Sequence, residues 1–462
     1  MGIAVAAIIL IVNLALPHRL RLIGVALLLV PQLYIPGSPV SLSFLWTLLT
    51  CLAGFMARGR PRADSAVVSV MFLFLCVVGL SLLWALPSGY DDGVTVLLRG
   101  IVFLLWLREM IVVARSDPAM LDSVVRWSVP GVALQSILVI GFRLDPAIEE
   151  RFLRSGLATY TVGPAAKYLY SSAPNNVLDT EKAGGFLVNG NIASLFGGIA
   201  ALVLLVAARR TSSRLLYATS ALSTLACVMA GSKAGVVLAV SSAIAIAIVP
   251  YVLRKSAALV AFAVVFLMPL AFYLVTVAVE WISPAFYARS DDALSGREAL
   301  WSRAAEMFAD SPIFGVGFGG WSTYVGKIAG QIRPPHNVLI ATWAYSGIVA
   351  LALAVVFIAT VIVIAFRVAA QQTTLRDCRT GVTALCAVTW MFVQSMGENT
   401  ALYGESLSMI PFAIAIAYLY SLDRTPVQGD EKNGQIAENP AVIAAVSGAT
   451  SPVPRHRVVQ HR

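Results

Sequence analysis

The residue types best suited to chemistry in this 462-residue chain gather between Ser295 and Gly347. Ser295-Gly-Arg-Glu298 has the spacing of a capping box, in which the serine accepts from the amide of Glu298 and the glutamate reaches back. Behind it Leu300, Ala304, Met307 and Phe308 share one helical face with Trp301 beside them, and Asp310-Ser-Pro312 stops the helix. Arg297 then falls in the first turn of a short amphipathic helix. Free amides, the positive end of the helix dipole and a guanidinium would converge there, an arrangement suited to a phosphate or diphosphate. The commoner use of such a residue, a surface arginine paired with an acid, stays open. Pro334-Pro335-His336-Asn337 abuts the next apolar run: Asn337 suits an N-cap, and His336 would stand at the mouth of the helix bundle. An imidazole there is either structural or a base working near neutral pH.

Other polar residues fall at the ends of apolar runs. Gly231-Ser-Lys233 lies in a tight turn, Asn189-Gly-Asn191 opens a run, and Glu398 and Glu405 bracket the last turn. Arg99 lies about six residues inside its run, roughly 9 Å at 1.5 Å per residue. It either faces the bundle or a wet cavity, as an intramembrane arginine with a function does, or snorkels to the interface. Gly315-Val-Gly317-Phe-Gly319-Gly320 contains GxGxxG, but no strand precedes it, so the dinucleotide reading fails. The glycines suit a tight turn with close backbone approach.

The elements that must carry these residues are written in the composition. The chain is 58% hydrophobic and 12% charged, against about 25% charged for soluble domains. Apolar segments run at about 2–16, 20–36, 39–57, 65–86, 93–114, 121–141, 186–207, 214–231, 234–253, 256–280, 337–366, 381–397 and 405–421. Most match the length that crosses a bilayer as helix, and lipid leaves backbone polar groups no other partner. Strand-like alternation is absent, which argues against a β-barrel. The expected fold is therefore an all-α polytopic membrane protein with twelve or thirteen transmembrane helices, the first two being short enough to form one re-entrant pair.

The net charge of +9 does not point to nucleic acid, because the basic residues sit in short clusters between apolar runs. With the connection at Arg19 and Arg21 placed inside, alternation brings Arg58, Arg60, Arg62, Arg108, Arg115, Arg126, Arg209, Arg210, Arg214, Arg254, Lys255, Arg367, Arg376 and Arg379 to the same side. That satisfies the positive-inside rule. Two long extracytoplasmic loops remain, 142–185 and 281–336, and loops of such length are usually functional. Residues 1–421 form the membrane domain, and 422–462 read as a disordered cytoplasmic tail. The five cysteines show no metal-site spacing and no disulfide is expected. The apolar start reads as a first helix rather than a removed signal peptide.

The run GR-E-x-LW, then SPIFGVGFGG, then PPHN followed by an apolar helix with Gly347, resembles the signature region of the O-antigen ligase and O-antigen polymerase superfamily. The GSK turn, the NGN opening and the large outer loop also agree. The resemblance implies a GT-C-like helical bundle that moves a glycan from a polyprenyl diphosphate carrier to an acceptor hydroxyl at the outer face of the cytoplasmic membrane. No metal or other cofactor is implied. It assigns Arg297 to the donor's diphosphate and His336 to assisting attack by the acceptor. Lys233 stands where the family has an arginine, keeping the charge and losing the planar fork. Arg99 or Arg333 would supplement it, and Glu398 or Glu405 would assist His336. The acceptor is a glycan, glycolipid or protein. The alternatives are a polysaccharide polymerase of the same superfamily and a lipid-linked glycan transporter or flippase.

Overall fold

The computed structural model describes residues 2–34, 40–56, 65–163, 166, 169, 181–256, 277, 281, 299–326 and 334–423. Arg297, Arg333, the Ser295–Glu298 box, most of the expected run 256–280 and the tail beyond Asp423 lie outside them. The chain divides into Met1–Leu422 and Asp423–Arg462, and the described helices all belong to the first unit.

These helices are α1 Gly2–Ala15, α2 His18–Leu27, α3 Leu42–Met56, α4 Ala66–Ser81, α5 Tyr90–Ser116, α6 Pro118–Trp127, α7 Val129–Leu144, α8 Pro146–Leu153, α9 Gly156–Thr161, α10 Gly190–Thr211, α11 Arg214–Met229 and α12 Lys233–Leu253. There follow α13 over 299–310, α14 Gly320–Val325, α15 Val338–Ala370, α16 Leu375–Ser395 and α17 Met409–Leu422. No strand occurs among the described residues. The chain is an all-α polytopic membrane protein. Among the described residues, five stretches are long and apolar enough to cross a bilayer: Ala66–Trp84, Pro118–Leu144, Gly190–Thr211, Lys233–Leu253 and Val338–Ala370. Leu42–Met56, Arg214–Met229 and Met409–Leu422 are shorter apolar helices. The expected run 20–36 is helical only as far as Leu27. Pro31 offers no amide and disfavours helix at the residue before it, so the chain leaves the helix ahead of it.

Burial sorts these helices into centre and rim. A helix apolar on every side belongs in the interior, and α10, 83% buried, and α17, buried from Met409 to Leu419, fill the middle. In α12 only 17% is buried, and Val236, Val240, Ile244 and Ile248 form an exposed apolar stripe at four-residue spacing. Such a stripe is a surface for lipid tails.

Arg58, Arg60 and Arg62 lie outside the described residues; basic clusters among the described residues meet one another at one end of the bundle. His18 pairs with Glu109 at 2.8 Å, Arg19 with Asp117 at 3.0 Å and Arg210 with Asp122 at 3.1 Å. Arg376 donates to the Arg209 carbonyl at 2.8 Å, and Arg379 donates to the Tyr251 hydroxyl at 2.7 Å. These contacts join the ends of α2, α5, α6, α10, α12 and α16, as the alternation of the sequence requires. The N-termini of α12 and α15 and the C-terminus of α16 therefore lie at the opposite end.

Candidate functional site

The site is built at that opposite end, around a break in α15. The Asn337 side-chain oxygen caps the helix, accepting from the amides of Leu339 at 2.9 Å and Ile340 at 3.2 Å. Half-buried His336 immediately precedes it with φ +50°. This left-handed backbone is uncommon outside glycine, and strained conformations of this kind gather at functional sites. Ten residues into α15 the helix breaks at Gly347, whose φ and ψ are 83° and −178°. In a continuous helix the amide of Ile348 would donate to the carbonyl of Ala344. Instead it donates to Ile313 at 2.9 Å, and the Ala344 carbonyl accepts from Val316 at 2.8 Å and Gly317 at 3.2 Å. The glycine loop thus satisfies the groups that the break exposes.

The same loop is tied to its other neighbours. Trp343 Nε1 donates to the Pro312 carbonyl at 3.0 Å, Trp84 Nε1 to Phe314 at 3.1 Å, and the amide of Leu86 to Phe318 at 2.8 Å. Gly315 and Gly317 hold positive φ, and a Cβ on them would lie 2.4 Å from the Trp343 carbonyl oxygen and 2.6 Å from that of Trp84. Close backbone approach is thus the use to which this GxGxxG is put. On α13, Leu300, Ala304 and Met307 are buried against Trp321, Val325, Trp343 and Ala344, which is the apolar face expected of an amphipathic helix. Phe308 stays more exposed and packs its ring 4.7 Å from that of Trp343. The helix ends at Asp310, as its Asp-Ser-Pro sequence dictates.

A second set of chain ends adjoins α10 and α12. The Asn189 side chain caps α10 by accepting from Asn191 at 2.8 Å and Ile192 at 3.4 Å, and Ser232 caps α12 by accepting from Gly235 at 3.3 Å. Lys233 is the first residue of α12 and is exposed. Gln394 near the end of α16 donates to the Asn191 carbonyl at 2.8 Å, which locks α16 to the start of α10. Glu398 follows three residues after α16 and is buried.

Arg99 is oriented by a chain segment that dips beside α5. Residues 396–408 bring Glu405 to 3.2 Å from the Arg99 guanidinium, while the Tyr403 hydroxyl donates to the Val96 carbonyl. Arg99, 37% exposed, thus pairs with an acid of the last turn. Its charge is shared with Glu405, which weakens its pull on a phosphate.

Two residues had no place in the sequence reading. Gln135 of α7 donates to the Gly184 carbonyl at 2.9 Å and accepts from the Phe186 amide at 3.0 Å. Glu149 of α8 accepts from the Gly184 amide at 3.0 Å. Gln135 was visible as a polar residue inside the run 121–141; Glu149 gave no signal, because its partner lies 35 positions away. Burial pushes the Glu149 carboxyl from its ordinary 4.5 up to about 7, opposed by the amides of Gly184 and Gly185. The folded protein then holds a proton that the unfolded chain releases between those values. The stability this group contributes is full below pH 4.5 and is lost as the pH rises through 7. Thermal unfolding in detergent is expected to show that loss in the wild type, and Glu149→Gln is expected to remove it. An unchanged pH dependence in the variant would contradict the assignment.

Residues 218–355 match the model of the family described as O-antigen ligase, which bears out the resemblance read from the signature region. The matched span contains Lys233, Arg297, Arg333 and His336. No curated protein matches the chain.

Proposed function

We propose that the chain is an O-antigen ligase-like glycosyltransferase that moves a glycan from a polyprenyl diphosphate carrier to an acceptor hydroxyl. The observation that carries this reading is the O-antigen ligase match, spanning residues 218–355 and including both Lys233 and His336. These residues head α12 and α15 at the end of the bundle opposite the paired arginines. By the positive-inside rule the basic end faces the cytoplasm, so transfer takes place at the outer face of the cytoplasmic membrane.

The acceptor oxygen attacks the anomeric carbon, and the bond from that carbon to the diphosphate oxygen breaks. His336 takes the hydroxyl proton, with Glu398 orienting it. Polyprenyl diphosphate departs with its developing charge neutralised by Arg297 and Lys233, the kind of electrostatic stabilisation that lowers transfer barriers most. Arg333 adds to the field, and the loops 142–185 and 281–336 select the acceptor. Two side-chain cations in this role leave the reaction independent of a metal.

The test is transfer by the purified full chain from a polyprenyl-diphosphate-linked glycan in EDTA. The acceptor arms are a glycolipid, a second lipid-linked glycan and a protein, which separate ligase from polymerase. Wild type transfers to one of them, and Arg297→Ala raises the donor KM by roughly tenfold or more, as loss of a charged hydrogen bond implies. Loss of wild-type activity in EDTA, or normal kinetics in Arg297→Ala, would overturn the assignment.

A further inference from the structure

The segment 181–187 passes directly over the turn that carries Lys233. Its Ala183 amide donates to the Ala230 carbonyl at 3.3 Å. A Cβ on Gly231 would lie 2.2 Å from the Glu181 carbonyl oxygen and 3.1 Å from the Lys182 Cα. A Cβ on Gly190, the first residue of α10, would lie 2.3 Å from the Ala230 carbonyl oxygen and 3.1 Å from the Lys182 Cβ. Three backbone segments therefore touch at one crossing, and two glycines make room for it.

Lys182 and Lys233 stand on the two sides of this crossing. Consecutive Cα atoms are about 3.8 Å apart, so Gly231 and Lys233 are separated by at most about 7.6 Å. The Cα atoms of the two lysines are then no more than about a dozen ångströms apart, within the joint reach of two four-carbon stems. Lys182 is half-buried and Lys233 exposed. The acid carried by the same segments is Glu181, which is exposed.

The crossing depends on side chains from two other helices. Gln135 holds Gly184 and Phe186, and Glu149 holds Gly184, so α7 and α8 together grip the segment from both sides of Gly185. The grip restrains a strained backbone. Gly185 has φ +58° and Val188 has φ +64°, a value that is a genuine outlier for a β-branched residue.

We infer that Lys182 is a second cation for the diphosphate of the lipid-linked donor, set beside Lys233 by the hold of Gln135 and Glu149 on segment 181–187. This rests on the glycosyltransferase reading and adds a residue that lies outside the family match at 218–355. The two ammonium groups can meet separate phosphate oxygens as point charges, without the planar fork that an arginine would bring. Gln135 and Glu149 are positioning residues in this arrangement.

The experiment measures binding of polyprenyl diphosphate, without glycan, to the full-length protein in nanodiscs, with the polyprenyl alcohol as a phosphate-free control. Lys182→Met keeps the aliphatic stem against Gly190 and removes the charge. It is expected to weaken diphosphate binding about tenfold, the loss of one charged hydrogen bond, and to leave alcohol binding unchanged. Lys182→Arg restores binding to within about threefold, since it returns the charge. Glu149→Ala reproduces the selective loss, whereas Glu149→Gln, which keeps an acceptor for Gly184, does not. Unchanged diphosphate binding in Lys182→Met, or equal weakening of alcohol and diphosphate, would overturn the inference. Because binding is read without turnover, selective diphosphate binding in a wild type that transfers no glycan would leave this site standing and refute the transferase reading alone.

Discussion

His336→Ala is expected to lower glycan transfer by roughly a hundred- to ten-thousand-fold, the span that a positioned general base contributes. Binding of the lipid-linked donor should change little, because the role assigned to His336 concerns the acceptor proton and not the diphosphate. Alanine at φ +50° also carries a backbone penalty of about 1–2 kcal/mol. His336→Asn separates the two effects, since asparagine tolerates the left-handed region and provides no base. The asparagine variant is expected to unfold at the wild-type temperature and still lose transfer. Transfer retained in the asparagine variant would remove His336 from the chemistry and leave it a cap-flanking residue.

Gly347→Ala is expected to cost roughly 2–6 kcal/mol, the sum of one strained backbone position and one overpacked contact. At φ +83° the new Cβ would lie 2.2 Å from the Ile313 carbonyl oxygen and 2.9 Å from the Phe314 Cα. Neither atom can move alone, because the Ile313 carbonyl accepts from Ile348, and the loop behind it is bonded to Ala344 and Leu86. The damage would spread along the glycine loop to α13 and loosen the support of the first helical turn of α15, beside His336. Gly141→Ala is the control: nothing lies within 4 Å of its Cβ position, and it sits inside α7. There alanine should be neutral or stabilising by up to about 1 kcal/mol. Thermal unfolding of both variants in the same detergent decides the matter, and equal stability would contradict the assigned role of the break.

The fold class was legible because length and apolarity alone define membrane helices. The common end of the clusters at Arg19, Arg209–Arg210 and Arg376–Arg379 was legible because the clusters alternate with apolar runs. Local signals also held at Asn337, which caps α15, and at Asp310-Ser-Pro312, which closes α13. The glycines at 315–319 were readable as a place of close approach, though not what approaches them. The break at Gly347 was not readable: one glycine in an apolar run of this length is compatible with helix, and the replacement hydrogen bonds come from Ile313, Val316 and Gly317, some thirty residues away. The early end of α2 was under-read because Pro31 lies beyond the helix it terminates. Arg99 was recognised as unusual, but its partner on the segment 396–408 was fixed by tertiary packing. The hold of Gln135 and Glu149 on Gly184 is of the same kind, a contact between positions 49 and 35 apart in sequence.

Glycan transfer has two products, and both can be followed through one turnover in proteoliposomes containing the wild-type protein, a polyprenyl-diphosphate-linked glycan and an acceptor. Transfer requires that free polyprenyl diphosphate appear in equal amount with the glycosylated acceptor, and that both fall together in His336→Asn. Movement of the intact lipid-linked glycan across the bilayer, with no polyprenyl diphosphate released, would contradict transfer and make the chain a carrier.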